Sequence, residues 1–176
     1  MTVVSDAGPL MALAKVGGLD VLFRLYPKVL TPPAVFDELV AAGLRLGAPD
    51  APLLAARYRT NEIVVVTPKV ASLAVHASLG AGEVQSILLA VEQRADWLLI
   101  DDLDARRAAA DSLAAAGSST RLKGTLGVIL EARKEAHLSH AEAVQLVEDI
   151  RQRPDIWISS SLCDHALVLL AGSSAP

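Results

Sequence analysis

Four consecutive apolar residues, Trp97-Leu98-Leu99-Ile100, stop abruptly at Asp101-Asp102, and few folds accommodate that juxtaposition. An apolar run of strand length without polar alternation belongs to a strand covered on both faces, as in a parallel sheet. Parallel neighbours need helical crossovers, so helices must separate the strands. The remaining sequence supplies them. Thr2 to Ser5 is a short, largely β-branched run closing in Asp6-Ala7-Gly8-Pro9, after which Leu10, Leu13 and Ala14, then Leu19, Leu22 and Leu25, recur at helical spacing. Pro9 suits a first helical position and Gly17-Gly18 separates two helices. Val29-Leu30 predicts a second strand. Pro32-Pro33 then opens a helix through Ala42 with Val35, Phe36, Leu39 and Val40 on one face, and Gly43 is expected to end it.

Residues 44–60, with Gly47, Pro49, Asp50 and Pro52, carry the weakest signal for regular structure. Ile63 to Val66 predicts a strand, Val70 to Leu79 and Glu83 to Arg94 helices, and Leu103 to Ala116 the helix after the buried strand. Gly117 to Thr120 is a loop, Thr125 to Ala136 and Ala141 to Gln152 are amphipathic helices, and Ile156-Trp157-Ile158 is expected as a last strand. The pattern predicts one α/β domain over residues 1–170 with a mostly parallel sheet, and a frayed tail at 171–176.

Composition narrows the chemistry. The single cysteine, Cys163, excludes an internal disulfide, a CxxC motif and a cysteine-rich zinc site. The four histidines, His76, His137, His140 and His165, lack ligand spacing and are expected as surface or packing residues. The longest uncharged apolar runs fall far short of the roughly 20 residues that cross a bilayer, so no membrane span is expected. No basic segment leads into an apolar stretch at the start, so a cytoplasmic protein is expected. A net charge of −4 argues against a nonspecific duplex-DNA binder. With only two Phe, two Trp and two Tyr, an array of base-stacking platforms is disfavoured as well. Neither GxxxxGK[ST] nor GxGxxG after a strand occurs.

The acids remain. In open parallel sheets ligands collect beyond the carboxyl ends of the strands, and Asp6 and Asp101 both sit there. Carboxylates brought together repel and raise each other's proton affinity, a cost that a divalent cation removes. Each acid also has an ordinary structural explanation. Asp6 can cap the turn into the helix at Pro9, and Asp102 and Asp104 can cap the helix that follows them. Asp37 and Glu38 flank an apolar stripe symmetrically, and pattern does not choose between them. Glu83 can serve its helix start through the dipole alone.

Their order along the chain carries more than any one of them. Val4-Ser5-Asp6-Ala7-Gly8-Pro9-Leu10, Leu79-Gly80-Ala81-Gly82-Glu83, Leu98-Leu99-Ile100-Asp101-Asp102 with Ala105-Arg106, and Gly124-Thr125-Leu126-Gly127 together resemble the PIN-domain family, in a prokaryotic, VapC-like branch. The resemblance covers residues 1–138 well and the remainder loosely. It implies a Rossmann-like three-layer α/β/α sandwich and metal-dependent hydrolysis of RNA phosphodiesters with Mg²⁺ or Mn²⁺, often as the toxin of a toxin–antitoxin pair. Carried over by motif, Asp6, Glu38, Glu83 and Asp101 are the catalytic acids, the ion resting on Asp6, Glu83 and Asp101, with Asp102 or Asp104 as an additional acid. Where the family commonly has Ser or Thr after the first Asp, this chain has Ala7 and Gly8. Ser5 or Thr125 is then expected to supply the supporting hydroxyl.

Arg106 and Lys123, with Arg107 and Arg121 beside them, are candidate phosphate contacts, although solvated helix faces explain these cations as well. A phosphorelay receiver also needs an acidic pair, a Thr and a Lys, but there the acidic pair belongs to the first strand. The competing reading is a non-enzymatic module of the same fold, catalytically weak or inactive, that binds a protein partner through apolar helices. A homodimer and an antitoxin protein are the expected partners, alongside RNA.

Overall fold

Five three-residue strands form the centre of the chain in the computed structural model, which describes residues 1–69 and 79–172. They are β1 (Val3–Ser5), β2 (Val29–Thr31), β3 (Ile63–Val65), β4 (Trp97–Leu99) and β5 (Arg121–Lys123). The order across the sheet is β3-β2-β1-β4-β5 and every neighbouring pair is parallel. Ten α-helical segments among the described residues surround it, α1 (Ala7–Lys15), α2 (Leu19–Leu25), α3 (Pro33–Phe36), α4 (Gly43–Leu46), α5 (Ala51–Arg59), α6 (Ala81–Glu92), α7 (Leu103–Ala115), α8 (Thr125–Lys134), α9 (His140–Gln152) and α10 (Ser160–Gly172). A π-helical stretch, Asp37–Ala42, joins α3 to α4.

Alternation along β1 and β4 divides the apolar side chains between the two faces of the sheet. Val3 and Leu99 pack with Leu10, Leu13, Leu22, Val128 and Ile129, beneath α1, α2 and α8. Val4, Leu98 and Ile100 pack with Ile87, Leu89, Ala105 and Ala109, beneath α6 and α7. The result is the expected three-layer α/β/α arrangement. Leu98, Leu99 and Ile100 are completely buried, which explains the unbroken apolar run in the sequence. No helix among the described residues is long and apolar enough to cross a membrane.

Five elements differ from expectation. The helix opened by Pro33 continues past Gly43 and ends at Gly47, where φ is +70° and glycine is favoured. Gly43 is buried in a helical conformation, and a Cβ there would lie 2.8 Å from Ala51 Cβ. Its small size admits α5, so it serves packing and not termination. Residues 44–60 are mostly helical because Pro52 falls in the first turn of α5, where its missing N–H costs nothing. β5 escaped notice because an edge strand reading Arg-Leu-Lys has no apolar signature, its lysine being buried through contacts described below.

Ile156 to Ile158 is not a strand. Ile156 is buried, Trp157 is 96% exposed, and the segment leads into α10, a helix that the sequence reading did not anticipate. That helix runs to Gly172, into the segment expected as tail. Residues 173–176 and the helix expected at Val70 to Leu79, but for Leu79 itself, lie outside the described residues.

Gly43→Ala tests the packing account. Alanine is the better helix former, by about 1 kcal/mol, yet overpacking against Ala51 should leave the variant less stable by about 1–3 kcal/mol in urea unfolding. A neutral or stabilising result would mean that α4 and α5 are not in contact there.

Candidate active site

The direction of strand addition reverses between β1 and β4, and such a reversal leaves a crevice outside the carboxyl ends of the strands. Asp6 is the first residue past β1, fixed by its own N–H donating to Leu99 O at 2.9 Å. Asp101 follows β4 by one residue, after Ile100 N–H donates to Lys123 O at 2.9 Å. The π-helical stretch contributes Glu38, and the first turn of α6 contributes Glu83. These four carboxylates and that of Asp102 line one cavity of about 570 Å³.

Asp6 is only 8% exposed, and its pKa is pushed up to about 7. Removal from water is the largest cause, the charges of Glu83 and Glu38 add to it, and the N–H groups of Ala7 and Gly8 oppose it. Partial burial, and then the Glu83 charge, raise the pKa of Glu38. Asp37 is exposed and takes no part in the lining. A regular helix gave no means of choosing between these two; the wider π-helical turn changes the angular spacing and sets Glu38 on the cavity side. Glu83 accepts the Gly80 N–H at 2.8 Å, so it serves its helix start and faces the cavity at once.

Asp101 is held differently. It accepts Thr125 Oγ1–H at 2.5 Å and Thr125 N–H at 2.8 Å. Burial nevertheless raises its pKa against those two bonds. Arg106 Nη1 donates to Ile100 O at 2.8 Å, steadying the turn that carries Asp101. The Gly-Thr-Leu-Gly motif has a steric basis in this contact. A Cβ on Gly124 would lie 2.7 Å from Asp101 Oδ1, and one on Gly127 would lie 2.8 Å from Lys123 Cγ. Thr125 thus supplies the supporting hydroxyl, whereas Ser5 Oγ donates to the backbone O of Asp6 at 2.8 Å and not to its carboxylate.

Other candidates have different employment. Asp102 accepts Ala105 N–H at 2.8 Å as the N-cap of α7, at the cavity edge. Asp104 pairs with Arg107 at 3.2 Å on the exposed side of α7 and does not line the cavity. Lys123 is not placed for a phosphate. Its ammonium is buried, ion-paired with Glu131, donating to Tyr26 Oη at 2.7 Å and lying 3.5 Å from the Trp97 ring centre. The Arg121 guanidinium also stacks on Trp97, 3.9 Å from the ring centre. None of His137, His140 and His165 lines the cavity, and His76 lies outside the described residues.

The sequence reading missed one wall. Lys15, from the end of α1, pairs with Asp155 at 3.2 Å and donates to its backbone O at 2.8 Å. Arg153 grips the same carboxylate with two hydrogen bonds of 2.9 Å. These contacts fasten the segment bearing Ile156, Trp157 and Ile158 against the cavity. Lys15 and Asp155 are 140 residues apart, and no local pattern announces such a pairing.

Among the described residues no lysine, arginine or histidine forms an ion pair with Asp6, Glu38 or Glu83. Nor, as the side chains stand, does any group of three His, Cys, Asp or Glu among them close around a single ion position. The donors are nevertheless all oxygen, the chemistry that suits Mg²⁺ or Mn²⁺. Gly82 keeps the space between two of them open: a Cβ there would lie 3.4 Å from Asp6 Oδ1 and 3.5 Å from Glu38 Oε2. The residues therefore fit a hard divalent cation in kind, with Asp6 and Glu38 flanking the gap.

An all-parallel sheet of this order with acids at its switch point defines a Rossmann-like α/β domain whose site lies beyond the carboxyl ends of the strands. A family model described as PIN domain matches residues 2–172, and the chain belongs to that family, whose members are generally nucleases that use divalent metals. No curated protein and no solved structure matches the chain.

The raised pKa of Asp6 sets a sign for the metal-free protein. The folded state holds this proton up to about pH 7, whereas an unfolded Asp releases it near 3.8. Between those values the native state binds more protons, so the Asp6 contribution to stability is fully present at low pH and is lost as pH rises to 7. Asp6→Asn should therefore melt higher than wild type at pH 8 in EDTA, and the gap should shrink toward pH 4. A variant that melts lower at pH 8 would show that Asp6 is not under this strain.

Proposed function

We propose that this chain is a metal-dependent endoribonuclease that hydrolyses RNA phosphodiester bonds with Mg²⁺ or Mn²⁺. The observation that carries the reading is the assembly, from four distant segments, of Asp6, Glu38, Glu83 and Asp101 around one crevice at the sheet's switch point, with Asp6 desolvated and facing like charge. A bound divalent ion in such a site supplies an activated water and neutralises charge on the phosphoryl oxygens. The protein's part is to hold the carboxylates ready. Thr125 fixes Asp101, Gly80 orients Glu83, and Gly82 leaves the room between Asp6 and Glu38.

Within this reading residues 1–170 act as one nuclease domain in the cytoplasm, as the toxin of a toxin–antitoxin pair, with a homodimer and an antitoxin protein as its assemblies. The second reading, a PIN-fold module that binds a protein partner and has little or no activity, draws support from the open spacing of the acids, none of which forms a closed cage.

Cleavage of a single-stranded RNA should require Mg²⁺ or Mn²⁺ and vanish in Asp6→Asn; cleavage that survives in this variant would end the nuclease reading. Millimolar Mn²⁺ should raise the melting temperature of the wild type, since only the folded chain presents the site. Gly82→Ala should keep the metal-free fold while losing that rise. A melting temperature indifferent to Mn²⁺ favours the module. In calorimetric titration, Glu38→Gln should weaken Mn²⁺ binding more than Asp37→Asn, and equal losses would exclude the π-helical account of Glu38.

A further inference from the structure

Trp157 is 96% exposed, although a tryptophan offers more apolar surface for burial than any other side chain. It does not hang from a loose end. The segment is fastened before it by the Arg153–Asp155 and Lys15–Asp155 contacts and by buried Ile156, so the ring is presented outward from a fixed turn. It stands where two hollows meet. One is the acidic cleft. The other is a groove of about 590 Å³ that shares Asp101, Asp102, Trp157 and Ile158 with the cleft. Beyond the shared end its lining is mostly apolar, with Leu103 and Leu162 exposed and Leu126 beside them, and Arg106 and the ion-paired Lys123 are its cations.

We infer that Trp157 is a stacking platform for a nucleobase of the RNA strand whose phosphate occupies the acidic cleft, and that the adjoining groove receives the strand as it leaves. The inference rests on the proposed nuclease reading and adds to it a substrate-binding residue. A single ligand explains both hollows only if it is anionic at one end and flat and apolar at the other, within one monomer's reach. A nucleotide has that form, its phosphate suited to a cation-loaded carboxylate site and its base to an aromatic face. An apolar peptide helix would satisfy the groove and leave the acidic end without a purpose. The scarcity of aromatic residues argues against a row of platforms, and a single one beside the cleft is consistent with that scarcity.

The experiment compares steady-state cleavage of a single-stranded RNA by wild type, Trp157→Ala and Trp157→Phe, with melting temperatures to confirm the fold. Trp157→Ala should raise KM about tenfold or more while kcat stays within about threefold, and Trp157→Phe should restore most of the loss, because a stacking face and not bulk is what matters. Wild-type fluorescence should be quenched by the same RNA, and this quenching should be largely absent in Trp157→Ala. Unchanged KM in Trp157→Ala, or a phenylalanine variant as impaired as alanine, overturns the inference while leaving the nuclease reading intact. A wild type that neither cleaves nor binds RNA removes both. If Trp157→Ala turns a dimer into monomers with KM unchanged, a second copy occupies the groove and the inference fails.

Discussion

Parallel pairing of β1 with β4 is the constraint on which the site depends. Val3 with Trp97, Val4 with Leu98 and Ser5 with Leu99 fix the register, and a slip of one residue would turn the faces of one strand over relative to the other. Register is what sends Asp6 and Asp101 to one edge, across the reversal in strand order. Leu98, Leu99 and Ile100 are fully buried, Leu99 in the apolar cluster on one face of the sheet and Leu98 and Ile100 in the cluster on the other. Hydrophobic burial is the source of the order, and the electrostatic tension among the acids is supported by it.

That tension is unevenly distributed. Asp101 is buried yet answered by two hydrogen bonds from Thr125, so its charge has partners. Asp6 is buried and faces Glu83 and Glu38, with only backbone N–H groups to oppose them. Buried like charges cost stability in the absence of a counterion, and such groups cluster where chemistry is done. Gly82 and Gly124 complete the arrangement by what they lack: side chains at either place would meet a carboxylate oxygen.

Much of this was legible in the sequence, for definite reasons. Strands buried on both faces announce themselves as apolar runs, and acids that close such runs fall at a predictable edge, so β1, β4, Asp6 and Asp101 could be read directly. The chain also belongs to the family that its motifs resemble. What escaped depended on contacts distant in sequence or on unusual backbone. Lys123 looked like a surface cation because its partners, Glu131, Tyr26 and Trp97, come from three other elements. Glu38 was indistinguishable from Asp37 until the π-helical turn broke the symmetry of the wheel. Gly43 imitated a helix stop because sequence does not show that Ala51 lies against it. Ile156 to Ile158 had the composition of a strand but follows a turn pinned by charges, which holds the tryptophan away from any sheet.

Thr125 is at once the first residue of α8 and the holder of Asp101. The helix therefore cannot slide along its axis without surrendering both bonds, and α9 and α10 stack on α8 and on each other. The last quarter of the chain, whose one acid in the cleft wall, Asp155, is held by Lys15 and Arg153, is in this way a mechanical brace, bolted at one residue to the charged end of a central strand.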